Sequence, residues 1–322
     1  MKFPVSLQIN VAPVDMAFLA PIMAHQLSIF GNLCEEIVVT VETKKSENSR
    51  WSSSDWDTNL TSLLLLLEEM QVSYPHLLIS KIDYSSATHK KASDFFMESS
   101  ELLPWKDFRG GPYYSYYYGV FSCSQKYVLH MDSDMLYCGS AEAWLREALA
   151  MMEEDKEVLL CSPLVGPPVR KGEEVPIAHK KRYNPIGNYQ SRDFYYKYKD
   201  ISTRIYLIEK ERLHGFAITT RPNLDQWIKA IWRGLPCYHT PERSLSVAMQ
   251  KRNLFRLDFL GEDGGFWSYH PPAKKSENFL NMLPHVISEI ERGFFTEAQR
   301  GRQQFTTSLL EALEESFRQS KS

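Results

Sequence analysis

The stretch YVLHMDSDM, residues 127–135, joins a short apolar run to two aspartates that are one residue apart. Residues 127–131 have the length and composition of a buried β-strand, and Asp132 and Asp134 follow where that strand would end. Successive side chains of an extended segment point to opposite sides, so residues i and i+2 share a side. We therefore expect both carboxylates to face one point at the edge of a sheet.

A second Asp-x-Asp pair, Asp55 and Asp57, shows that the tripeptide alone decides nothing. About one such pair is expected by chance in a chain of this length at ordinary aspartate usage. No buried strand precedes this second pair, and a helix is predicted just after it, over residues 60–70. The second pair is therefore interpreted as a helix N-cap. The strand in front of Asp132 and Asp134 is what distinguishes them.

Strand and helix patterns alternate about four times in the first half of the chain. The predicted strands cover residues 5–11, 36–42, 77–82, 127–131 and 158–161. The predicted helices between them cover residues 16–30, 60–70, 113–121 and 141–153. This alternation is typical of an α/β fold with a doubly wound, mostly parallel sheet. Ligands in such sheets bind beyond the carboxyl ends of the strands.

The alternation fails after Ser162. Residues 163–199 are rich in Pro, Gly, Tyr and basic residues and are too long for a structureless loop in a compact domain. We interpret them as an inserted lid or acceptor-side segment. Further on, the patterns predict strands at 215–220 and 254–260, helices at 224–232 and 242–251, and a helical tail over 284–319. The resulting division is a main domain of residues 1–275, with halves 1–162 and 163–275, and a C-terminal helical extension of residues 276–322.

The composition narrows the class of protein. With 37 Lys and Arg against 40 Asp and Glu, the net charge of −3 gives no electrostatic reason to expect a nucleic-acid partner. The five cysteines are scattered, odd in number and never in a C-x-x-C pair, which argues against a disulfide framework and a thiolate zinc site. We interpret the N-terminal residues as a first strand rather than as a signal peptide, and the longest leucine run, residues 63–67, is too short to span a bilayer. We expect a cytoplasmic protein with at most peripheral membrane contact.

A second cluster of functional residue types lies in LDFLGEDGGFWSYHPP, residues 257–272. Its glycines permit tight turns beside a ligand, and Glu262 or Asp263 could supply a general base. His270 precedes two prolines, which fix the local backbone and could hold the imidazole toward a metal. Each of these residues taken singly is more often structural.

The two clusters together resemble the GT-A class of glycosyltransferases, which use nucleotide-sugars. The resemblance implies a Rossmann-like, mostly parallel central sheet flanked by helices, with a C-terminal helical appendage. It implies that Asp132, Asp134 and His270 hold Mn²⁺ or Mg²⁺ on the donor diphosphate, beside Ser133. It also implies an inverting transfer in which Asp263, or else Glu262, takes the proton from the acceptor hydroxyl.

The donor contacts follow from the resemblance by element order. Pro13 after the first strand, with Glu42 and Asp83 at the ends of the second and third, would contact the nucleotide. Arg109 and Lys274 are candidate diphosphate contacts, because basic side chains meet phosphate oxygens. Residues 1–162 would then bind the donor, expected to be a UDP-sugar rather than a GDP-sugar. Residues 163–275 would bind a glycan or another hydroxyl acceptor, with Trp267 as the aromatic residue expected to contact it.

Three other interpretations stay open at the sequence level. The pair Asp132 and Asp134 could simply cap the helix that follows Ser140 or form an Asx turn. The chain could be a phosphohydrolase of the haloacid dehalogenase type, although that motif normally opens its domain and continues with Thr or Val, whereas Met135 and Leu136 follow here. It could also be a glycan-binding or scaffold protein that has lost catalysis on the same fold.

Overall fold

The computed structural model describes residues 2–45, 54–176, 185–217, 219–271 and 276–320. The strands in these ranges are β1 (Phe3–Val11), β2 (Cys34–Val41), β3 (Leu77–Lys81), β4 (Tyr127–Asp132), β5 (Leu136–Gly139), β6 (Val158–Val165), β7 (Gly187–Asn188), β8 (Tyr195–Tyr198), β9 (Ile205–Glu209), β10 (Phe255–Phe259) and β11 (Phe266–Tyr269). The α-helices are α1 (Met16–Phe30), α2 (Trp56–Ser73), α3 (Ser86–Phe96), α4 (Tyr114–Phe121), α5 (Ala141–Glu154), α6 (Leu224–Trp232), α7 (Pro241–Lys251), α8 (Glu277–Glu291) and α9 (Thr307–Gln319).

The strands form one mixed sheet with the order β3-β2-β1-β4-β9-β6-β10-β8-β7. Strands β1 to β4 run parallel to one another, and β10 runs parallel to β6. Strand β9 lies between β4 and β6 and is antiparallel to both. Strand β11 pairs with β5 and with the end of β6. The predicted α/β class with a largely parallel centre is confirmed.

Both faces of the sheet are buried, as the nearly continuous apolar runs of its strands predict. On one face, Leu7 and Leu129 pack in a core that includes side chains of α1, α2 and α5. On the other face, Val128 and Tyr206 pack with side chains of α3, α4 and α7. The aromatic run 113–118 contributes to this second core, which confirms that its tyrosines form a buried helix. The arrangement is three-layered, with helices on both sides of the sheet.

A third core joins the C-terminal helices to the rest of the chain. Val286 of α8 and Leu309 of α9 share it with Phe18 of α1 and with Trp267 and Tyr269 of β11. The helical tail predicted for residues 284–319 is therefore present and packs directly on α1 and β11. The division of the chain at residues 275 and 276 stays a prediction.

The structure differs from two sequence-based expectations about the second half. No strand covers the described part of residues 215–220, where only an isolated bridge joins Met97 and Ala217. The strand lies earlier, at β9. The segment 163–199 is also not simply a lid, because its described part contains the hairpin of β7 and β8, and β8 extends the sheet beside β10. The tyrosines of β8 suit a half-buried pleated surface, which explains the added strand.

Helix α4 approaches β1 closely at Gly119. A Cβ atom there would lie 2.5 Å from Nε2 of Gln8 and 2.8 Å from Oδ1 of Asn10. A Cβ atom at this point would therefore force Gln8, Asn10 or the helix to shift. Gln8 and Asn10 lie on β1, which pairs with β4. The candidate site lies at the carboxyl end of β4.

Candidate active site

The turn that carries Asp132 and Asp134 is fixed by helix α1. Asp132 is the last residue of β4, and Asp134 lies in the turn before β5. Gln26 donates from Nε2 to the backbone oxygens of Asp132 and Met135, at 2.9 and 3.0 Å. His25 accepts from the backbone N–H of Tyr137 at 2.9 Å. Two adjacent residues of α1 therefore hold the backbone on either side of Asp134.

Asp134 and His270 lie side by side. The His270 Nε2 atom is 3.5 Å from Oδ2 of Asp134, and the two side chains are 17% and 9% exposed. The pairing of β5 with β11 causes this proximity, because Leu136 lies opposite Tyr269. Asp134 stands two residues before that pair and His270 one residue after it. A separation of 3.5 Å is longer than a good N–H···O hydrogen bond and leaves room for both atoms to contact one ion.

Asp132 is the more exposed carboxylate of the pair and faces a buried histidine. Its side chain is 43% exposed, and its Oδ1 atom lies 3.8 Å from Nε2 of His130. His130 is fully buried, and its Nδ1 atom is hydrogen-bonded to Oε1 of Gln8. One side of the Asp132 carboxylate therefore faces the buried His130, and its other side is exposed. Its negative charge also acts on His270.

Arg204 is a site residue that the sequence interpretation missed. Its backbone oxygen accepts from the N–H of Asp132 at 2.8 Å, and its Nη1 atom donates to Oε1 of Gln303 at 2.8 Å. The Gln304 carboxamide lies between Arg204 and His270. In the amide orientation that satisfies both neighbours, its oxygen accepts from both terminal guanidinium nitrogens, at 2.9 and 3.0 Å. The Arg204 cation thus lies close enough to His270 to act on its charge, with the Gln304 carboxamide between them.

The direction of β9 explains the place of Arg204. Because β9 is antiparallel to β4, the start of β9 lies at the edge where β4 ends. Arg204 directly precedes β9 and therefore reaches the carboxyl edge of the parallel strands. The only sequence signal is a basic residue before an apolar run, and that run was not predicted as a strand.

The electrostatic surroundings keep His270 in the form that binds metals. Burial lowers the pKa of its imidazole from the ordinary value, and the nearby Arg204 charge lowers it further. Gln304 and Asp132 raise it but do not outweigh the burial. The imidazole is therefore neutral at neutral pH, as a metal ligand must be.

The donor set fits a hard or borderline divalent cation. Two carboxylates and a neutral imidazole are common ligands of Mn²⁺, and carboxylates with phosphate oxygens suit Mg²⁺. Within the described residues, no three His, Cys, Asp or Glu side chains form a ready-made group for an ion. Asp132, Asp134 and His270 would need further oxygen ligands from substrate and water, as Mg²⁺ sites in phosphate-binding enzymes usually do.

Ser133 and Pro13 lie around the turn at the end of β1. Ser133 donates from Oγ to Oδ2 of Asp15 at 3.2 Å, and the same oxygen accepts from the N–H of Ala12 at 3.0 Å. Pro13 is buried and opens the short 3₁₀ turn that leads into α1. The structure thus brings the ends of β1 and β4 together, with Asp15 as an additional carboxylate.

Glu42 and Asp83 both have local partners. The Tyr84 hydroxyl donates to Glu42 at 2.7 Å. Asp83 accepts from the Thr88 hydroxyl and from the backbone N–H of Ser85, and these bonds hold the pKa of Asp83 below its usual value. Asp83 is thereby part of the cap of α3. A nucleotide contact by either carboxylate stays a prediction.

Of the two predicted basic contacts, Arg109 is described and Lys274 lies outside the described residues. The Arg109 guanidinium forms a salt bridge at 3.0 Å with the buried carboxylate of Asp107. The N–H groups of Arg109 and Gly111 both donate to that carboxylate at 2.8 Å. Arg109 is therefore held within its own loop.

The structure places Glu262 and Asp263 away from the carboxylate pair, and their role as the base stays a prediction. Gly139 lies opposite Phe266, and the N–H of Ser140 donates to the oxygen of Gly265. The Glu-Asp turn therefore lies beyond the far end of the β5–β11 ladder. From Phe266 to His270 the chain advances by roughly 13 Å at about 3.3 Å per residue. The β5–β11 ladder therefore separates the Glu-Asp turn from Asp134 and His270 by its whole length.

The predicted acceptor contact by Trp267 is also wrong for this structure. Its side chain is only 8% exposed. The indole ring packs in the third core, edge-on to Phe295 with 6.3 Å between ring centroids. Alternation along β11 explains this, since Trp267 and Tyr269 share the side that faces the C-terminal helices. Trp267 is a core residue.

Comparison with known proteins gives no sequence relative. No protein-family model and no curated protein matches the chain. Solved structures that align with it include glucosyl-3-phosphoglycerate synthase from Mycobacterium tuberculosis with Mn²⁺, UDP and glucosyl-3-phosphoglycerate, at 10% identity and a TM-score of 0.36, over 89% of this chain and 77% of that one. A mannosyltransferase from Pyrobaculum calidifontis with GDP-mannose and Mn²⁺ aligns at 12% identity and a TM-score of 0.34, over 67% and 48% of the two chains. At these TM-scores the likenesses assign no residue role and no activity to this chain.

Proposed function

We propose that the protein is a metal-dependent glycosyltransferase that moves a sugar from a nucleotide-sugar to an acceptor hydroxyl. The observation that carries the proposal is the meeting of Asp134 and His270, 3.5 Å apart at the carboxyl edge of the sheet, beside Asp132 and Arg204. Carboxylates, a neutral imidazole and a guanidinium in one place suit a divalent cation with a diphosphate. A nucleotide-sugar presents such a diphosphate.

Each residue has a separate task in this proposal. Asp132, Asp134 and His270 would hold Mn²⁺ or Mg²⁺, which acts as a Lewis acid and template on the diphosphate when it is bound. Arg204 would face the diphosphate oxygens, where a planar guanidinium can donate two parallel hydrogen bonds. As the bond from the sugar C1 to the diphosphate oxygen breaks, negative charge grows on that oxygen. The positive charge of Arg204 stabilises this charge because it is already in place.

The nucleoside would lie toward the ends of β2 and β3. There, Tyr84 packs against Trp105 with 5.6 Å between ring centroids, and Trp105 stacks on His89 at 3.7 Å. The side chain of Trp105 is 42% exposed, so one ring of this cluster is open to a ligand. Glu42, which accepts from Tyr84, lies beside the same cluster. A uridine nucleotide is the donor we would test first.

No residue is assigned as the base in this proposal. Glu262 and Asp263 lie at the other end of β11 from His270, and a retaining transfer needs no carboxylate base on the acceptor hydroxyl. The proposal therefore covers transfer of the sugar from C1–O–phosphate to a hydroxyl oxygen, with loss of the hydroxyl proton. It leaves the stereochemical outcome open.

A thermal-shift screen tests the proposal directly. The full chain is heated with UDP-, GDP-, CMP- and dTDP-sugars, each with Mn²⁺, with Mg²⁺ and with a chelator. A ligand that binds only the folded state raises the Tm by mass action, so one donor class should stabilise the protein in the presence of metal only. Release of free nucleoside diphosphate with that donor then shows turnover.

The same screen separates the competing functions. Stabilisation by a nucleotide-sugar without turnover on any hydroxyl acceptor would favour a binding or scaffold protein. Hydrolysis of simple phosphate esters with no response to nucleotide-sugars would favour a phosphohydrolase. If chelator leaves the response to every donor unchanged, the metal role of Asp132, Asp134 and His270 is wrong.

A further inference from the structure

Helix α6 carries its large apolar side chains on the outside of the protein. Leu224 is 68% exposed, Ile228 53%, Ile231 52% and Trp232 89%. Ala230 is the one side chain of α6 that is buried. Single exposed apolar residues are common on protein surfaces, but several on one short helix are not. Packing in the protein core therefore does not explain the apolar side of α6.

The apolar residues of α6 form one continuous strip. At about 100° per residue, Leu224, Ile228, Ile231 and Trp232 lie within an arc of roughly 100° around the helix axis. Ala230 lies on nearly the opposite side, against the body of the protein. The strip is thus aimed away from the core.

A basic strip borders the apolar one. Lys229 and Arg233 follow Trp232 around the helix, and Arg221 lies just before the helix begins. All three are exposed, and Asp225 is the single acidic residue between positions 221 and 233. This is a local excess of positive charge in a chain whose net charge is −3. An exposed apolar strip with a basic flank is the pattern of a helix that lies in the headgroup region of a bilayer.

We propose that α6 binds the surface of an anionic lipid membrane. The strip of Leu224, Ile228, Ile231 and Trp232 enters the boundary between headgroups and acyl chains. Lys229 and Arg233 reach the lipid phosphates from the side of the helix. Trp232, at the end of the helix, has the amphipathic ring that favours this interfacial position. No described helix is both long and apolar enough to cross a membrane, so this contact is peripheral.

A second copy of the chain is a poorer occupant of this surface. A stable protein interface takes about 20–30 residues from each partner, whereas α6 has nine residues. A twofold contact through the same strip would also bring the basic flanks of two copies together. Lipid phosphates complement those flanks, and a lipid surface does not require a matching protein contour.

The proposed membrane-binding helix α6 lies near a loop that contributes to the proposed nucleoside site. The N–H of Phe108 donates to the oxygen of Tyr238 at 2.7 Å, so the segment after α6 packs on the loop of residues 105–112. That loop carries Trp105, which belongs to the aromatic cluster at the ends of β2 and β3. Membrane contact through α6 would therefore place this end of the sheet near the lipid surface. The lipid proposal does not depend on the sugar-transfer proposal.

Vesicle co-sedimentation of the full chain tests the lipid proposal. Vesicles of phosphatidylcholine alone are compared with vesicles that also contain phosphatidylserine. We expect binding to the anionic vesicles and weaker binding as salt shortens the range of the electrostatic attraction. Lys229→Gln with Arg233→Gln should weaken it about 25-fold, since each basic residue near the surface contributes about fivefold. Ile228→Ser with Trp232→Ser should abolish it.

Matched controls keep this test decisive. Leu65→Ser with Val72→Ser changes two apolar residues of α2 that are also exposed, 56% and 83%, and should bind vesicles as the unmodified chain does. All these sites are on the surface, so thermal unfolding should show intact folding in every variant. The proposal fails if the unmodified chain ignores anionic vesicles, or if the α2 control loses binding as the α6 variant does. It also fails if ultracentrifugation shows a dimer that the α6 variant dissociates.

Discussion

The Nε2 atom of His270 lies 3.5 Å from Oδ2 of Asp134, although the two residues are far apart in the sequence. The short ladder of β5 and β11 sets this distance, because Leu136 faces Tyr269 directly beside both residues. The same ladder places Glu262 and Asp263 at its other end. One register therefore decides which of the sequence-predicted residues can act together.

Asp134→Asn should remove metal-dependent nucleotide binding. The substitution keeps the shape of the side chain but removes the charge that attracts a divalent cation. We expect at least about tenfold weaker Mn²⁺-dependent binding of the preferred nucleotide, the scale on which even supporting residues of metal sites act. Calorimetric titration measures this affinity. Asp57→Asn, in the other Asp-x-Asp pair, is the matched control and should bind normally; equal losses in both variants would contradict the metal role.

Glu262→Gln and Asp263→Asn should leave sugar transfer nearly unchanged. Both side chains are exposed and lie beyond the ladder from His270. Neither side chain lies at the end of the ladder that carries Asp134 and His270, so the rate of sugar transfer should change little. Steady-state release of nucleoside diphosphate measures the effect. A loss of rate as large as that of Asp134→Asn would instead support Glu262 or Asp263 as the base.

Local patterns in the sequence predicted most elements of the first half of the chain, but they predicted neither β9 nor the directions of the strands. The strand before Asp132 and the helix α6 follow from composition and period, which are local properties. Neither property shows that β9 runs antiparallel, and this direction is what brings Arg204 to the site. Likewise, Glu262 and His270 come from one short stretch, yet a strand separates them by its whole length. Register and direction depend on distant partners, so they become visible only in the folded chain.

Arg204→Gln should weaken nucleotide binding more than Arg204→Lys does. Hydrogen bonds to charged groups contribute about 1.5–3 kcal/mol, so loss of the guanidinium should lower diphosphate affinity by about tenfold or more. Lysine keeps the positive charge but lacks the planar guanidinium. The nucleotide affinity of Arg204→Lys should therefore lie between those of the unmodified protein and Arg204→Gln. Titration with the nucleoside diphosphate and Mn²⁺ gives the order. Equal affinities for all three proteins would exclude a diphosphate contact.

Gly119→Ala should destabilise the protein. Alanine normally favours a helix over glycine by about 1 kcal/mol, but here its Cβ would lie 2.5 Å from Nε2 of Gln8. Such overpacking typically costs about 1–3 kcal/mol, so the Tm should fall. A double-mutant cycle with Gln8→Ala isolates the clash, since the loss caused by Gly119→Ala should shrink when Gln8 is shortened. If the two losses are simply additive, contact with Gln8 is not the cause of the loss from Gly119→Ala.

His25 should make the folded protein sensitive to mild acid. Its Nδ1 atom lies 2.7 Å from Glu291 of α8, and its Nε2 atom accepts from the N–H of Tyr137. Burial lowers the pKa of the imidazole from the ordinary value of 6.5, although the nearby Glu291 raises it in part. Both ring nitrogens are therefore occupied in the neutral form, and no position is left for a second proton.

The sign of the effect follows from where the proton binds. Below pH 6.5 His25 becomes protonated in the unfolded chain but stays neutral in the folded chain, so unfolding takes up a proton. The free energy of unfolding therefore decreases as the pH decreases. The loss ends once the pH passes below the lowered pKa of the folded state. Thermal unfolding of the unmodified protein and of His25→Gln, compared at a series of pH values, isolates this contribution, because all other groups titrate in both. The difference in Tm between the two proteins should narrow as the pH falls through this window. A constant difference would mean that His25 is protonated equally in both states.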